Sequence, residues 1–146
     1  MKNLASLSSG RVRTVSQELD RAAVLLQKLV RLKAADDAGY CSCVTCGVRG
    51  HWKEMQGGHF ISRTFKRWKC DERNVHPQCK GCNGFGMKYG NAEAEYMSYM
   101  MGRYGLETVQ HMLSTRRDIT KYSRDEVEEM QAEFKREIKK ELERVG

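Results

Sequence analysis

Apolar residues in the first quarter of the chain recur every three or four positions, the spacing of one face of an α-helix. Thr14 is followed three residues later by Gln17, a pair typical of a capping box, and predicts a helix to about Ala35. The spacing resembles a coiled-coil seam that is too short to distinguish packing within one domain from a dimerisation helix. The seam consists of Val12, Val15, Leu19, Ala22, Leu26 and Leu29.

The last third of the chain shows the same helical period. Asn91 can cap one helix, and a short helix is predicted over residues 106–113. Ser123, with Glu126 three residues later, is typical of a capping box and predicts a final helix to about Val145. Both ends of the chain are therefore expected to be helical.

Residues 39–90, between these helical regions, are rich in glycine and polar residues and lack a sustained apolar period. Short strands are predicted near residues 55–61 and 74–78, with a loop between them and a short helix or turn over 80–85. Such a segment buries little apolar surface, so a bound metal is a reasonable source of its folding energy. The predicted organisation is an N-terminal helix over 1–38, a core over 39–90 and a helical region over 91–146.

The charge balance of the chain favours a polyanionic partner. The 146 residues carry a net charge of +7, and 31% of them are charged. Between His59 and Gly90 the chain has seven Lys and Arg residues against two acidic ones. Such a surface suits phosphates, because each phosphate that it neutralises releases counterions. No run of about 18 apolar residues is present, which argues against a membrane-spanning helix.

The cysteine spacing predicts a structural zinc ion. The N-terminus lacks the apolar core of a secretory signal, so we expect a cytoplasmic protein whose thiols bind metal and do not form disulfides. Two Cys-x-x-Cys pairs have the spacing of a tetrahedral zinc site. Four thiolates leave no open coordination position on such a zinc ion, so its role would be structural. These pairs are Cys43 with Cys46 and Cys79 with Cys82, whereas Cys41 and Cys70 are interpreted as structural or incidental thiols.

The polar residues between the cysteine pairs suit phosphodiester hydrolysis. This reaction needs an activated water and stabilisation of charge on the phosphate, which a histidine base and a divalent metal can supply. His59 is the candidate base, and Asn83 offers a neutral oxygen to a hard cation such as Mg²⁺ or Mn²⁺. Gly57 and Gly58 are expected to let nucleic acid or metal approach the backbone closely.

The order of these motifs resembles a known family. Cys-x-x-Cys, Gly-His-Phe-x-Ser-Arg, Asn-Val-His-x-Gln-Cys and Cys-Asn, followed by Gly90-Asn91 before a tyrosine-containing helix, resemble the NinG (Rap) recombination proteins of lambdoid phages. Two knuckles around a histidine, ending in Cys-Asn, are also similar to phage endonuclease VII and the wider HNH, or ββα-metal, nucleases. The resemblance covers roughly residues 39–122.

The resemblance implies a fold and an activity. The fold is α+β and mostly helical, with a small zinc-stapled ββα-metal (HNH-like) core between N-terminal and C-terminal helices. The activity is structure-selective cleavage of branched DNA, including Holliday (four-way) junctions, by a homodimer in the bacterial host cell.

The resemblance also implies roles for single residues. His59 matches the general base, Asn83 a cation ligand on the helix, and Asn74 a residue that braces the loop between strands. Many HNH nucleases have a metal-binding Asp directly before the histidine, where this chain has Gly58. His76 is the expected replacement ligand, the alternative being a strand histidine hydrogen-bonded in the core. Gln56, Glu54 or water are weaker replacements.

A basic loop follows His59. Arg63 is expected to stabilise charge on the scissile phosphate, the alternatives being a surface arginine or a DNA-backbone contact away from the cut. Lys66, Arg67, Trp68 and Lys69 are interpreted as a DNA-contacting loop, with Lys88 as a further phosphate contact. Trp68 could instead pack on the zinc knuckles.

Three other functions stay open at this stage. One is an HNH nickase without junction preference, and another is a zinc-dependent DNA-binding recombination accessory that does not cut. The third is a purely structural or protein-interaction zinc domain. The base beside a hard-metal ligand favours the enzymes, whereas Gly58 keeps the non-cutting protein in consideration.

Overall fold

The computed structural model describes residues 11–145 and shows a mostly helical α+β fold. The first ten residues of the predicted N-terminal region, and Gly146, lie outside this range. Two three-residue 3₁₀ turns, Lys66–Trp68 and Glu72–Asn74, lie in the loop over residues 60–74. In chain order the elements are α1 (Val15–Ala34), β1 (Tyr40–Ser42), β2 (Arg49–His51), β3 (Gln56–His59), β4 (Val75–Gln78), a π-helical segment (Cys82–Gly86) continuing into α2 (Met87–Tyr89), α3 (Ala92–Tyr104), α4 (Leu106–Thr115) and α5 (Arg124–Arg144).

Two of the three predicted helix caps are confirmed. The capping boxes of Thr14 with Gln17 and of Ser123 with Glu126 are both fully formed at the starts of α1 and α5. The cap predicted at Asn91 is wrong, because its side chain makes no capping hydrogen bond. Its backbone (φ −94°, ψ 5°) is not in the extended conformation that a capping residue adopts.

The predicted apolar seam is buried within the chain from Leu19 onward, whereas Val12 precedes α1 and is exposed. Leu19, Ala22 and Leu26 are at most 1% exposed, and α1 packs along α5 and across β3 and β4. The side-chain amide of Gln131 in α5 also donates to the carbonyl of Glu18, at 2.8 Å. Of the two interpretations of this seam, packing within the domain is the one observed, so a dimer would have to use another surface.

Within residues 11–145, the buried apolar residues form two clusters. The first cluster joins α1 and α5 to β1, the first cysteine knuckle and Val75 of β4. The second joins Phe60, Ile61 and Trp68 to residues of α3 and α4. The boundaries predicted between three regions stay a prediction, although α1 and α5 share one core with the middle of the chain.

In the described part of the chain, four short strands form two antiparallel pairs. The β3–β4 pair lies within the segments predicted from the sequence, with Gly58 opposite His76 and His59 opposite Val75. The β1–β2 hairpin was not predicted, because strands of three residues are too short to show an alternating pattern. None of the helices within residues 11–145 is both long and apolar enough to cross a membrane.

Candidate zinc centre and catalytic cleft

The four cysteines of the two Cys-x-x-Cys pairs converge on one point. The sulfur atoms of Cys43, Cys46, Cys79 and Cys82 all lie within 4.8 Å of one another, and those of Cys46 and Cys79 are 3.7 Å apart. Tetrahedral zinc with Zn–S bonds of about 2.3 Å requires sulfur separations of about 3.8 Å. The cluster could therefore hold a zinc ion, as the spacing predicted.

The cysteine cluster connects the elements that carry the other polar residues. The first knuckle lies in the turn of the β1–β2 hairpin, and the amide of Val44 donates to the carbonyl of Pro77 in β4 at 3.0 Å. Cys79 directly follows β4, and Cys82 begins the π-helical segment. A zinc ion would thus hold the end of β4 and the start of the helix in one geometry, which sets the position of Asn83.

His59 and Asn83 line the same cleft, of about 1150 Å³. The cleft lies between α1, the end of β3 and the helix after the second knuckle, and Arg63 contributes to its wall. Arg31 closes one side, with its guanidinium donating to the carbonyls of Trp52 and Met55, both at 3.1 Å. These two hydrogen bonds fasten the turn that leads into β3 to α1.

His59 has the environment of a neutral histidine with one free nitrogen. Its Nε2 lies 2.8 Å from the carbonyl of Lys69, which can only accept, so Nε2 carries the proton. Within the described residues Nδ1 has no hydrogen-bond partner and is left as a base. Burial, together with the charges of Arg63 and Lys69, lowers the pKa of His59 to about 4, so the ring is neutral at neutral pH.

Asn83 is oriented by one hydrogen bond. Its Nδ2 donates to Oε1 of Gln56 at 2.7 Å, which turns Oδ1 toward Gly58. A Cβ on Gly58 would lie 3.0 Å from this oxygen. A side chain at residue 58 would therefore begin beside Asn83 Oδ1, where a metal-binding residue is expected in this motif.

The two glycines before His59 accommodate protein atoms. A Cβ on Gly57 would lie 2.6 Å from Cβ and 2.7 Å from Cα of Gln27 in α1, so this glycine lets α1 approach the strand. A Cβ on Gly58 would lie 2.6 Å from Cδ of Gln78, whose Oε1 is closer still. At Gly57 the observed close approach is that of α1, whereas the approach of nucleic acid or metal to this backbone stays a prediction.

His76 is part of a directed hydrogen-bond chain. The hydroxyl of Tyr96 donates to the carbonyl of Gly58 at 2.7 Å, so it accepts from Nδ1 of His76 at 3.0 Å. Nε2 of His76 then accepts from the hydroxyl of Tyr104 at 2.8 Å. Both nitrogens are occupied and burial lowers the pKa of His76 to about 4. The geometry gives no support to His76 as a cation ligand and favours the alternative of a core histidine.

Asn74 connects the two ends of the loop between β3 and β4. Its Oδ1 accepts from the amide of Ile61 at 2.8 Å, and its Nδ2 donates to the carbonyls of Ile61 at 3.0 Å and Trp68 at 3.1 Å. The side chain is fully buried. These three hydrogen bonds hold the backbone near His59, the arrangement expected of a bracing residue.

The residues predicted to contact DNA differ in their accessibility. Arg63 and Lys88 are exposed in the cleft, and Lys66 is exposed on the following loop. The guanidinium of Arg67 lies 4.6 Å from the centre of the Trp68 ring, and Lys69 forms an ion pair with Asp20 of α1.

Trp68 cannot contact DNA, which corrects the prediction. Its side chain is 1% exposed, in the cluster formed with α3 and α4, and its indole N–H donates to the Thr115 hydroxyl at 3.0 Å. Val44 of the first cysteine knuckle also packs against this cluster.

Two exposed aromatic residues at the cleft were missed by the sequence analysis. Phe85 and Tyr89 are 70% and 73% exposed, and their rings lie 5.2 Å apart beside Lys88. Their spacing of four residues was a usable signal, because side chains at that spacing lie on one face of a helix.

The two cysteines outside the cluster, Cys41 and Cys70, are buried thiols, and burial raises the pKa of Cys70 to about 12.

The comparison with protein families gives one match. The family described as Bacteriophage Lambda NinG protein matches residues 8–144, a range that includes the cysteine cluster, His59 and Asn83. No curated protein and no solved structure matches the chain.

Proposed function

The chain belongs to the bacteriophage lambda NinG family of phage recombination proteins, and we propose that it cuts branched DNA as a metal-dependent endonuclease. Family membership supports a role in recombination. The observation that carries the proposed cleavage is the cleft in which His59, Asn83 and Arg63 meet. We further propose that β3, β4 and the helix carrying Asn83 form a ββα-metal core.

The protonation of His59 supports its role as the general base. Because Nε2 donates to the Lys69 carbonyl, Nδ1 is free to take a proton from a water molecule as that water attacks phosphorus. The bond from phosphorus to the leaving oxygen then breaks. Arg63, exposed in the same cleft, is placed in this proposal against the charge on the phosphate oxygens.

The donor set of the cleft fits a hard divalent cation. Asn83 Nδ2 donates to Gln56, so Oδ1 of the same amide faces the space beside Gly58. Amide oxygens are among the ligands that Mg²⁺ and similar cations accept. When bound there, Mg²⁺ or Mn²⁺ would supply stabilisation of negative charge on the phosphate.

The surface around the cleft supports a nucleic-acid substrate. Lys66 and Lys88 add exposed positive charge to that of Arg63, and the exposed pair of Phe85 and Tyr89 offers rings on which bases can stack. Base pairs at the branch point of an open junction lack a stacking neighbour on one side, whereas those inside a linear duplex are stacked on both sides. We therefore propose that this aromatic pair contributes to selectivity for branched DNA.

A homodimer remains part of the proposal. A four-way junction has approximate two-fold symmetry, so two active sites related by a two-fold axis could cut two strands symmetrically. The seam of α1 is buried against α5 and is not available for this contact. Light scattering of the free protein and of its junction complex would establish the number of copies.

A cleavage assay tests the proposed function. The zinc-loaded protein is incubated with an end-labelled four-way junction, or with a linear duplex of the same arm sequence, in Mg²⁺ or Mn²⁺. We expect paired cuts in the junction alone. His59→Ala should abolish cutting while junction binding is retained, and His51→Ala, a matched control outside the cleft, should cut normally.

Other outcomes of this assay identify the alternatives. Equal cutting of the linear duplex would indicate a nickase without junction preference. Binding without cutting by the unaltered protein would indicate a recombination accessory, the function favoured by the missing carboxylate at Gly58. Undiminished cutting by His59→Ala would remove this histidine as the base.

A further inference from the structure

Two amide oxygens meet beside Gly58 without a donor between them. Oδ1 of Asn83 and Oε1 of Gln78 both lie within 3.0 Å of the point where a Cβ of residue 58 would stand. Gln78 is fully buried, and its Oε1 has no hydrogen-bond partner within the described part of the chain. Buried acceptors are normally paired, because leaving one unpaired costs its desolvation energy. The arrangement therefore requires a positively charged or proton-donating species.

Hydrogen bonds fix which end of each amide faces this space. Asn83 Nδ2 is used by Gln56, so Oδ1 faces Gly58. Gln78 Nε2 lies 3.4 Å from the hydroxyl oxygen of Thr45, and that hydroxyl lies 3.1 Å from Sγ of Cys43. A zinc-bound thiolate only accepts, so Thr45 donates its single proton to Cys43 and accepts from Gln78. The zinc cluster thus turns Oε1 of Gln78 toward Gly58.

The absence of a side chain at residue 58 and the position of Gln78 are directly related. Any Cβ on residue 58 would collide with the Gln78 amide. A carboxylate at position 58 and the amide of Gln78 in its present position are therefore mutually exclusive. The Gln78 oxygen lies 1.7 Å from the Cβ position of residue 58 and thus occupies the space in which a side chain there would begin.

We propose that Gln78 Oε1 and Asn83 Oδ1 are the protein ligands of a hard divalent cation, with Gln78 replacing the carboxylate missing at Gly58. The role of this cation in cleavage rests on the proposed function, whereas the site itself does not. Its identity as a hard cation follows from the oxygen ligands. Of the replacements considered from the sequence, His76 is occupied by two tyrosines and Oε1 of Gln56 accepts from Asn83. Glu54 is exposed, whereas Gly58 is buried.

Both proposed ligands are neutral amide oxygens, which lowers the affinity expected for the cation. Mg²⁺ is usually held by one or two carboxylates together with substrate phosphates. With only amide oxygens from the protein, most of the balancing charge comes from a DNA phosphate in the cleft. The free protein should bind the cation weakly, and DNA should increase the affinity.

Titration of the zinc-loaded full chain with Mn²⁺ tests the proposed site. Electron paramagnetic resonance reports free Mn²⁺, with zinc content and thermal midpoint measured for every variant. Gln78→Met, which keeps the length of the side chain without its oxygen, should weaken Mn²⁺ binding at least tenfold. Gln78→Glu should strengthen it at least tenfold. Gln131→Met, at the contact of α1 with α5, is the matched control and should bind as the unaltered protein does.

Several results would overturn the inference. Unchanged Mn²⁺ affinity in a folded, zinc-containing Gln78→Met protein would overturn it. If Gln78→Met does not fold, unchanged or weaker Mn²⁺ affinity in Gln78→Glu would overturn it. A measurement on the unaltered protein needs no variant: Mn²⁺ should broaden the side-chain amide NMR signals of Gln78 and Asn83 before that of Gln131. Simultaneous broadening of all three signals would exclude a bound ion at this place.

The cleavage assay, run in parallel, separates this inference from the proposed function. Junction cutting with an Mn²⁺ affinity that is insensitive to Gln78 would overturn the site assignment and leave the nuclease. Affinity that depends on Gln78, without any cutting, would overturn the nuclease and leave the cation site.

Discussion

Replacing Gly57 with alanine tests the close contact between α1 and β3. The added Cβ would lie 2.6 Å from Cβ and 2.7 Å from Cα of Gln27, whereas carbon atoms normally approach to about 3.5–4.0 Å. Cα belongs to the backbone of α1, so a side-chain rotation cannot remove the overlap, and helix and strand must separate by about 1 Å. Overpacking of this kind costs about 1–3 kcal/mol of unfolding free energy.

Urea unfolding at saturating zinc measures the effect, with Gly102→Ala as the matched control. Gly102 lies in α3 with no atom within 4 Å of its potential Cβ, so alanine there should stabilise the protein by about 1 kcal/mol through helix propensity. The same chemical change should thus have opposite signs at the two glycines. Equal unfolding free energies for Gly57→Ala and the unaltered protein would refute the contact.

Three other predictions follow from the site. Removing zinc with a chelator, or replacing Cys46 with serine, should unfold the middle of the chain, because metal binding supplies its folding energy. Circular dichroism and zinc analysis would show this loss of structure. An unchanged thermal midpoint without zinc would contradict the prediction. The pKa of His59 is lowered to about 4 from 6.5, so its contribution to stability is complete above pH 6.5 and is lost as the pH falls toward 4, where the unfolded state binds the proton first. His59→Ala should accordingly flatten the pH dependence of urea unfolding in that window, and an unaltered slope would contradict the low pKa. The double substitution Phe85→Ala and Tyr89→Ala should weaken junction binding about tenfold or more, since stacking contributes roughly 1–3 kcal/mol per base. Fluorescence anisotropy measures this binding, and the exposed control Ile119→Ala should bind normally.

The features that could be predicted from the sequence depend on neighbours a few residues apart. Both capping boxes join residues three positions apart, and each cysteine knuckle needs only two intervening residues. The buried seam of α1 follows from its period, because a helix places such residues on one face. Asn91 shows the limit of this reasoning, since its backbone is not extended and its side chain makes no capping hydrogen bond.

The features that could not be predicted depend on which surfaces meet in the folded chain. Trp68 stands among basic residues, yet α3 and α4 cover it, and no local pattern records that covering. Likewise, pairing of β3 with β4 places His76 against the tyrosines of α3 and not in the cleft. The local sequence is compatible with either location of each side chain.

Local patterns were enough to predict the helices at both ends and the four cysteines that could hold a zinc ion, with His59 between the two pairs and Asn83 directly after them. What occupies the space beside Gly58 depends on the fold. There the Thr45 hydroxyl lies between Cys43 and Gln78, and the side-chain oxygens of Gln78 and Asn83 both face Gly58. Gly58, the pair of Cys43 and Thr45, and the pair of Gln78 and Asn83 come from separate parts of the sequence, so their hydrogen-bond directions exist only in the folded chain.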